Sequence, residues 1–269
     1  MNIFFFYEYI YCKNDERGIL MRKSILIIIY KKTLTYLVIA SILAFLVPYA
    51  FVKATNEKRI SPATPLTGKI IVIDPGHGGV DSGTHYGQKI LEKEINLKIG
   101  LILKTAIQAQ GATVFMTRES DISLDDQKKN GSRHREDLNA RVRLTNTSNA
   151  DIFISIHANY IRNSSSTLGP MVFYYGSSEK SKQLAESIQQ SLNTLSGYKK
   201  VGAKPSHSAH KGNYVILRET MPPGVLVETG FLSNAIDRTL LQKESHQQEI
   251  AKLITEGLIR YFKHPEDIH

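Results

Sequence analysis

The sequence predicts an α/β protein, a single domain with a mainly parallel twisted sheet of about six strands and helices on both faces. Three observations predict it. Short β-branched runs, apolar at nearly every position, recur along the chain, as strands covered on both sides require. Between them lie stretches with apolar residues at helical spacing. Ionisable residues gather where several runs end, at the edge where open α/β sheets place their ligands.

Residues 1–20 read as a possible upstream extension, because Met21, Arg22 and Lys23 resemble the start of an export signal. Residues 21–54 read as a signal peptide or an N-terminal membrane anchor. Thr33 to Val52 is uncharged and predominantly apolar, follows Arg22, Lys23, Lys31 and Lys32, and at roughly 20 residues is long enough to span a bilayer. Val52 to Ala54 offers residues tolerated at a cleavage site, so both alternatives stand. Residues 55–68 form a polar linker, and the folded domain occupies 69–264.

The expected strands are Lys69 to Asp74, Thr113 to Thr117, Ile152 to Ile156, Met171 to Tyr175, Tyr214 to Leu217 and Val225 to Glu228. Leu91, Ile95, Ile99, Ile102 and Ala106 mark a first helix that Gly111 stops; Leu184, Ile188 and Leu192 mark a second. Ser245 with Gln248 reads as a capping box opening a C-terminal helix that carries Ile250, Leu253, Ile254 and Leu258.

Composition bounds the function classes. Apolar residues at 42%, charged residues at 22%, 18 Gly and 9 Pro fit a globular chain rather than a low-complexity one. The formal charge of +9 divides into +4 up to Ala54 and +5 beyond it, a mild excess that suits an anionic wall polymer or a membrane surface. No nucleic-acid-recognition pattern accompanies it. The lone cysteine, Cys12, excludes an intrachain disulfide and a cysteine-rich metal cluster.

His77 follows the first strand, His157 follows the run ending at Ile156, Glu228 closes another, and Glu92 opens the first helix. Histidines converging on one sheet edge suit a metal, with a carboxylate as third ligand. Each has a plainer reading as well. Histidines commonly serve as surface or hydrogen-bonded core residues, and a first-turn glutamate is favoured by the helix dipole. Glu228 is harder to dismiss, since a charge closing Gly-Val-Leu-Val is costly without a partner. A phosphate loop at Gly76 to Gly83 is disfavoured, as neither a GK[ST] ending nor G-x-G-x-x-G is present. No G-x-S-x-G elbow supports a serine hydrolase, and Cys12 precedes the export segment.

In order, "IVIDPGHGG", "EKEINL", "VFMTRESD", "LNARVRLTN", "ADIFISIHAN" and "GVLVETGFLSN" resemble the zinc-dependent N-acetylmuramoyl-L-alanine amidases of bacterial cell walls, the catalytic domain often called Amidase 3. The resemblance implies that residues 69–264 hydrolyse the amide between N-acetylmuramic acid and L-alanine in peptidoglycan, outside the cytoplasmic membrane. It implies one zinc ion per chain held by His77, Glu92 and His157, with Glu228 as catalytic glutamate. The resemblance implies Glu92 rather than Glu94, because the family's ligand is the glutamate that directly precedes a basic residue and begins this helix. The stretch Asp125 to Arg141 is longer and more charged than in simple members and looks similar to amidases of spore cortex and germination. The partners expected are peptidoglycan and, if the N-terminal segment is uncleaved, the membrane, with an activating protein as a further candidate; nucleic acid is not expected. A catalytically silent wall-binding regulator and a zinc peptidase cutting stem peptides remain the alternatives.

The glycines of the opening loop are expected to let substrate and metal approach the backbone. Asp74, Asp81 and Asn159 are candidates for orienting ligands or for shaping turns. His207 and His210 read as surface or substrate-edge residues, and Arg118, Arg141 and Arg218 as surface salt-bridge formers or contacts for wall carboxylates.

Overall fold

The computed structural model describes residues 32–48, 64–87, 89–125, 132–162 and 165–263. The chain divides into two units, Met1–Ile60 and Ser61–His269. In the first, residues 32–48 form helix α1, exposed along its whole length. No helix among the described residues is long and apolar enough to cross a membrane. The remainder of the expected export segment, the upstream extension and the linker as far as residue 63 lie outside the described residues.

The second unit runs β1 (Ile70–Pro75), β2 (His85–Tyr86), β3 (Ile90–Leu91), α2 (Glu92–Gln108), β4 (Thr113–Met116), α3 (Arg133–Thr147), β5 (Ile152–Asn159) and β6 (Met171–Tyr174). It continues through α4 (Glu179–Leu192), α5 (Ser196–Lys199), β7 (His210–Lys211), α6 (Val215–Glu219), β8 (Gly224–Phe231), α7 (Ala235–Leu241) and α8 (Glu244–Lys263). Six strands form one sheet in the order β4-β1-β5-β8-β6-β7, and β2 pairs only with β3. The pairs β4–β1, β1–β5, β5–β8 and β6–β7 are parallel, while β6–β8 is antiparallel. The sheet is therefore mainly parallel, as the unbroken apolar runs imply.

The pleat sorts side chains onto two faces. Ile71 and Ile73 of β1, Ile152, Ile154 and Ile156 of β5, and Val225 and Val227 of β8 enter the larger core, with Ile99 and Leu103 of α2, Ile188 of α4 and Ile254 of α8. Their alternates Val72, Phe153 and Leu226 meet Ile216 and Leu217 of α6 in a smaller cluster. Leu66, expected in the linker, is fully buried in the larger core, and its N–H donates to the Gln110 carbonyl at 2.9 Å. Residues 64–68 therefore belong to the folded domain.

Three expectations are corrected. Tyr214 to Leu217 does not form a strand; Val215–Glu219 is a helix, α6. It buries the adjacent pair Ile216 and Leu217, which one helical turn can do and an alternating strand cannot, and β7 takes the sheet edge instead. The C-terminal helix begins at Glu244 rather than at a Ser245 cap, with the N–H groups of His246 and Gln247 bonded to the Lys243 carbonyl. Strands β5 and β8 run past the expected ends to Asn159 and Phe231, so His157 and Glu228 are strand residues.

Candidate metal centre

The face that buries Val72, Phe153 and Leu226 turns polar toward the carboxyl ends of its parallel strands. Two residues further on, the same pleat positions are Asp74, Ser155 and Glu228, and β5 adds His157. His157 and Glu228 are register partners across the β5–β8 ladder. The site thus sits where the sheet's thinner side runs out of apolar side chains.

His77 arrives from the loop after β1 in a left-handed conformation, φ 62°, which is uncommon for a residue with a Cβ. Asp81 fixes its ring, with His77 Nδ1 donating to Asp81 Oδ2 at 2.7 Å and leaving Nε2 turned toward Glu92 at 3.3 Å. Glu92 is 3% exposed. Its Oε2 accepts from the Thr84 N–H at 2.7 Å, and Oε1 accepts from the Ala158 N–H at 3.2 Å and from His157 Nδ1 at 2.9 Å. The first turn of α2 is anchored to the same loop, because the N–H groups of Glu92 and Lys93 donate to the carbonyls of Thr84 and Ser82. Glu94, two residues on, is exposed.

One ligand atom from each of His77, Glu92 and His157 lies within 4.8 Å of the others. Two imidazoles and a carboxylate converging from separate segments are a donor set suited to a divalent cation such as zinc. The electrostatics fit as well. Burial opposes a charge on His77, yet the hydrogen bond and charge of Glu92, with those of Asp81, push its pKa up to about 9. Burial would raise Glu92, but hydrogen bonds from His157 and His77 outweigh it and hold the carboxyl well below the usual range. Glu92 and Asp81 thus favour positive charge at His77, as they would favour a bound cation.

Glu228 is different. Burial, helped by the charge of Glu92 and opposed by His157 and His77, pushes it up to about 7. Its Oε2 is buried without a hydrogen-bond partner. The group can hold or release a proton near neutrality, which is the property a general base requires. The four residues line one groove of about 480 Å3, with Tyr160 and Tyr214 on its walls.

The glycine loop makes close packing around the donors possible. A Cβ at Gly76 would lie 2.2 Å from the His157 ring, and one at Gly83 would lie 2.6 Å from both Glu92 Oε2 and the His77 ring. These glycines make room for the donor side chains themselves.

Arg118 and Arg141 also differ from expectation, since each is 2% exposed. Arg118 donates from Nε to the Pro75 carbonyl at 2.8 Å, from Nη2 to those of Gly76 and Lys93 at 2.9 Å, and from Nη1 to that of Ser120 at 3.1 Å. Burial and the neighbouring Arg141 push its pKa down to about 10. Arg141 donates to Asp74 Oδ1 at 2.6 Å and to the His77 carbonyl at 2.8 Å. Two buried guanidiniums therefore hold the loop from beneath. The motifs "TRES" and "NAR" were visible, but nothing in their spacing signals burial. Arg218 bonds Asn213 and Glu219 at the surface.

Asp74 braces Arg141, Thr117 and Ser155 and does not reach a donor ring, whereas Asp81 does. Asn159 shapes its turn by accepting from the Tyr160 N–H. His207 bonds the Leu168 carbonyl, and His210 is exposed on β7. Neither joins the cluster.

Comparison with known proteins identifies the family. Residues 71–260 match the family model for N-acetylmuramoyl-L-alanine amidase. The chain is similar to the germination-specific N-acetylmuramoyl-L-alanine amidase of Bacillus subtilis, 39% identical over 238 residues, covering 88% of this chain and 97% of the relative. It is 37% identical to the "Probable cell wall amidase LytH" of Staphylococcus epidermidis over 74% of this chain, which spans 60% of that longer relative. Among solved structures, the CwlD amidase of Clostridioides difficile in complex with the GerS lipoprotein is 35% identical, with a TM-score of 0.65 over 72% of this chain and 98% of that one.

Proposed function

The chain belongs to the N-acetylmuramoyl-L-alanine amidase family and is a peptidoglycan amidase, and from that premise we propose that it is a zinc enzyme in which His77, Glu92 and His157 hold the metal and Glu228 moves the proton. The observation that carries this reading is the convergence of those three donors, within 4.8 Å, beside a buried carboxyl whose Oε2 has no partner. When bound, zinc supplies Lewis-acid polarisation of the scissile carbonyl and acidifies a water.

The chain's own residues do the rest. Asp81, by accepting from His77 Nδ1, keeps Nε2 available and the ring oriented. The N–H groups of Thr84 and Ala158 hold the Glu92 carboxylate in place. Glu228 takes the proton of the attacking water and returns it to the leaving nitrogen, as the lactyl carbonyl of N-acetylmuramic acid parts from the amino group of L-alanine. Its raised pKa suits both halves of that transfer.

The substrate in this reading is spore-cortex peptidoglycan. Similarity to a germination-specific relative along nearly the whole of both chains supports it. The apolar, lysine-preceded N-terminal segment supports export, cleaved or anchored. A protein partner is proposed because a similar amidase is solved in complex with a lipoprotein.

Mass spectrometry of digested muropeptides tests the activity. Intact glycan and intact stem peptide are the expected products; cut stems would make the chain a peptidase, and unchanged material a binder. Glu228→Ala is expected to retain about one zinc per chain and to lose about 10²- to 10⁴-fold in turnover. Near-wild-type turnover would remove Glu228 from the mechanism.

A further inference from the structure

The residue that leads helix α6 faces the reacting centre. Tyr214 lines the groove together with Glu228 and the three donors. Its ring is held from two sides. It stands edge-on to Phe173, with centroids 5.6 Å apart and planes at 75°. It also lies over Gly212, where an added Cβ would come within 2.5 Å of Cε2 and 2.7 Å of Cδ2. The backbone beneath is pinned, because the Tyr214 carbonyl accepts from the N–H groups of Leu217 and Arg218. Arg218 Nη1 donates to Asn213 Oδ1 at 2.8 Å and steadies the preceding residue.

The hydroxyl, by contrast, makes no hydrogen bond to any described residue. A phenol fixed in orientation, partly exposed and unpartnered is preorganised to donate into the groove. Burial and the charge of Glu228 hold its pKa above the usual phenol value. It therefore keeps its proton over the range in which Glu228 gives up its own.

Amide hydrolysis develops negative charge on the carbonyl oxygen, and a fixed donor aimed at that oxygen acts most strongly in the transition state. Glu228 and Glu92 are acceptors and cannot serve. We propose that the Tyr214 hydroxyl donates a hydrogen bond to the carbonyl oxygen of the scissile amide and strengthens it as charge develops there. The proposal rests on the reading of His77, Glu92, His157 and Glu228 as the reacting centre.

Tyr214→Phe removes one oxygen and leaves the ring contacts with Phe173 and Gly212. In the zinc-loaded full chain, acting on soluble muropeptides, kcat is expected to fall about 10²- to 10³-fold. KM and zinc content are expected to stay within about twofold. Gly212→Ala, which displaces the ring, is expected to lower kcat in the same way with the hydroxyl still present. A Tyr214→Phe enzyme with wild-type kcat, or with its loss confined to KM, would overturn the proposal. Glu228→Gln measured alongside separates the two readings. If Glu228→Gln is inactive while Tyr214→Phe turns over normally, only the role of Tyr214 falls; if Glu228→Gln remains active, the reacting centre itself is misassigned.

Discussion

Replacing Arg118 by lysine should weaken metal binding without touching a donor. Arg118 ties the loop that carries His77, through the carbonyls of Pro75 and Gly76, to the first turn of α2 that carries Glu92, through the Lys93 carbonyl. A lysine ammonium cannot reproduce that planar fork, and the bonds to Pro75 and Gly76 are buried. The Pro75 and Gly76 carbonyls still accept from Arg141 Nη1 and Asn96 Nδ2, so neither is orphaned, and losing about two to three hydrogen bonds of the fork at about 1 kcal/mol each lowers the stability of the metal-free protein by about 2–3 kcal/mol. If the fork also sets the spacing between His77 and Glu92, zinc affinity falls about 10- to 100-fold, as for other groups that orient ligands. Urea unfolding of the metal-free chain reads the first effect, and competition titration with a chelating dye reads the second. Loss of stability with zinc affinity within twofold of wild type would refute the reasoning, because Arg118 would then only fill space beneath the loop.

Gly83→Ala puts a Cβ 2.6 Å from Glu92 Oε2 and the His77 ring at φ 63°, so near-complete loss of zinc uptake is expected by elemental analysis, with about 1–3 kcal/mol of backbone strain in thermal unfolding. Asp81→Asn removes the carboxylate that orients His77 and should cost about 10- to 100-fold in zinc affinity by titration. His77 has a folded pKa of about 9 against 6.5 unfolded in the metal-free protein. Its contribution is therefore fully present below pH 6.5 and is lost as pH rises through 9, a decline of about 3 kcal/mol in metal-free unfolding measurements. Zinc uptake should displace that proton, so apparent affinity rises with pH up to about 9 and flattens beyond it. A pH-independent affinity between pH 6 and 8 would count against that raised pKa.

Much of this was legible in the sequence, for identifiable reasons. β1, β5 and β8 are buried on both faces, so their apolar runs are unbroken and hard to mistake. The difference in burial between Glu92 and Glu94 was legible too. Glu92 lies three, seven and eleven residues before Ile95, Ile99 and Leu103 and shares their buried face, while Glu94 is turned outward. Helix α3 was not legible, because it buries Ala140, Arg141 and Thr145 rather than an apolar stripe. Helix α6 was misread because Tyr214, Val215 and Ile216 favour strands, and the packing of Ile216 and Leu217 on Phe153 and Leu226 overrode that preference.

The pairing of His157 with Glu228 across β5 and β8 has a consequence for how such an enzyme can diverge. The distance between the metal-holding side and the proton-moving side is set by the spacing of two backbone ladders, about 4.8 Å, which side-chain substitution scarcely alters. The groove walls, in contrast, come in part from a loop tip and from helix α3, at Tyr160 and Leu138. Change can accumulate on those walls and retune which wall fragment is accepted. The reacting distance stays constant while it does so.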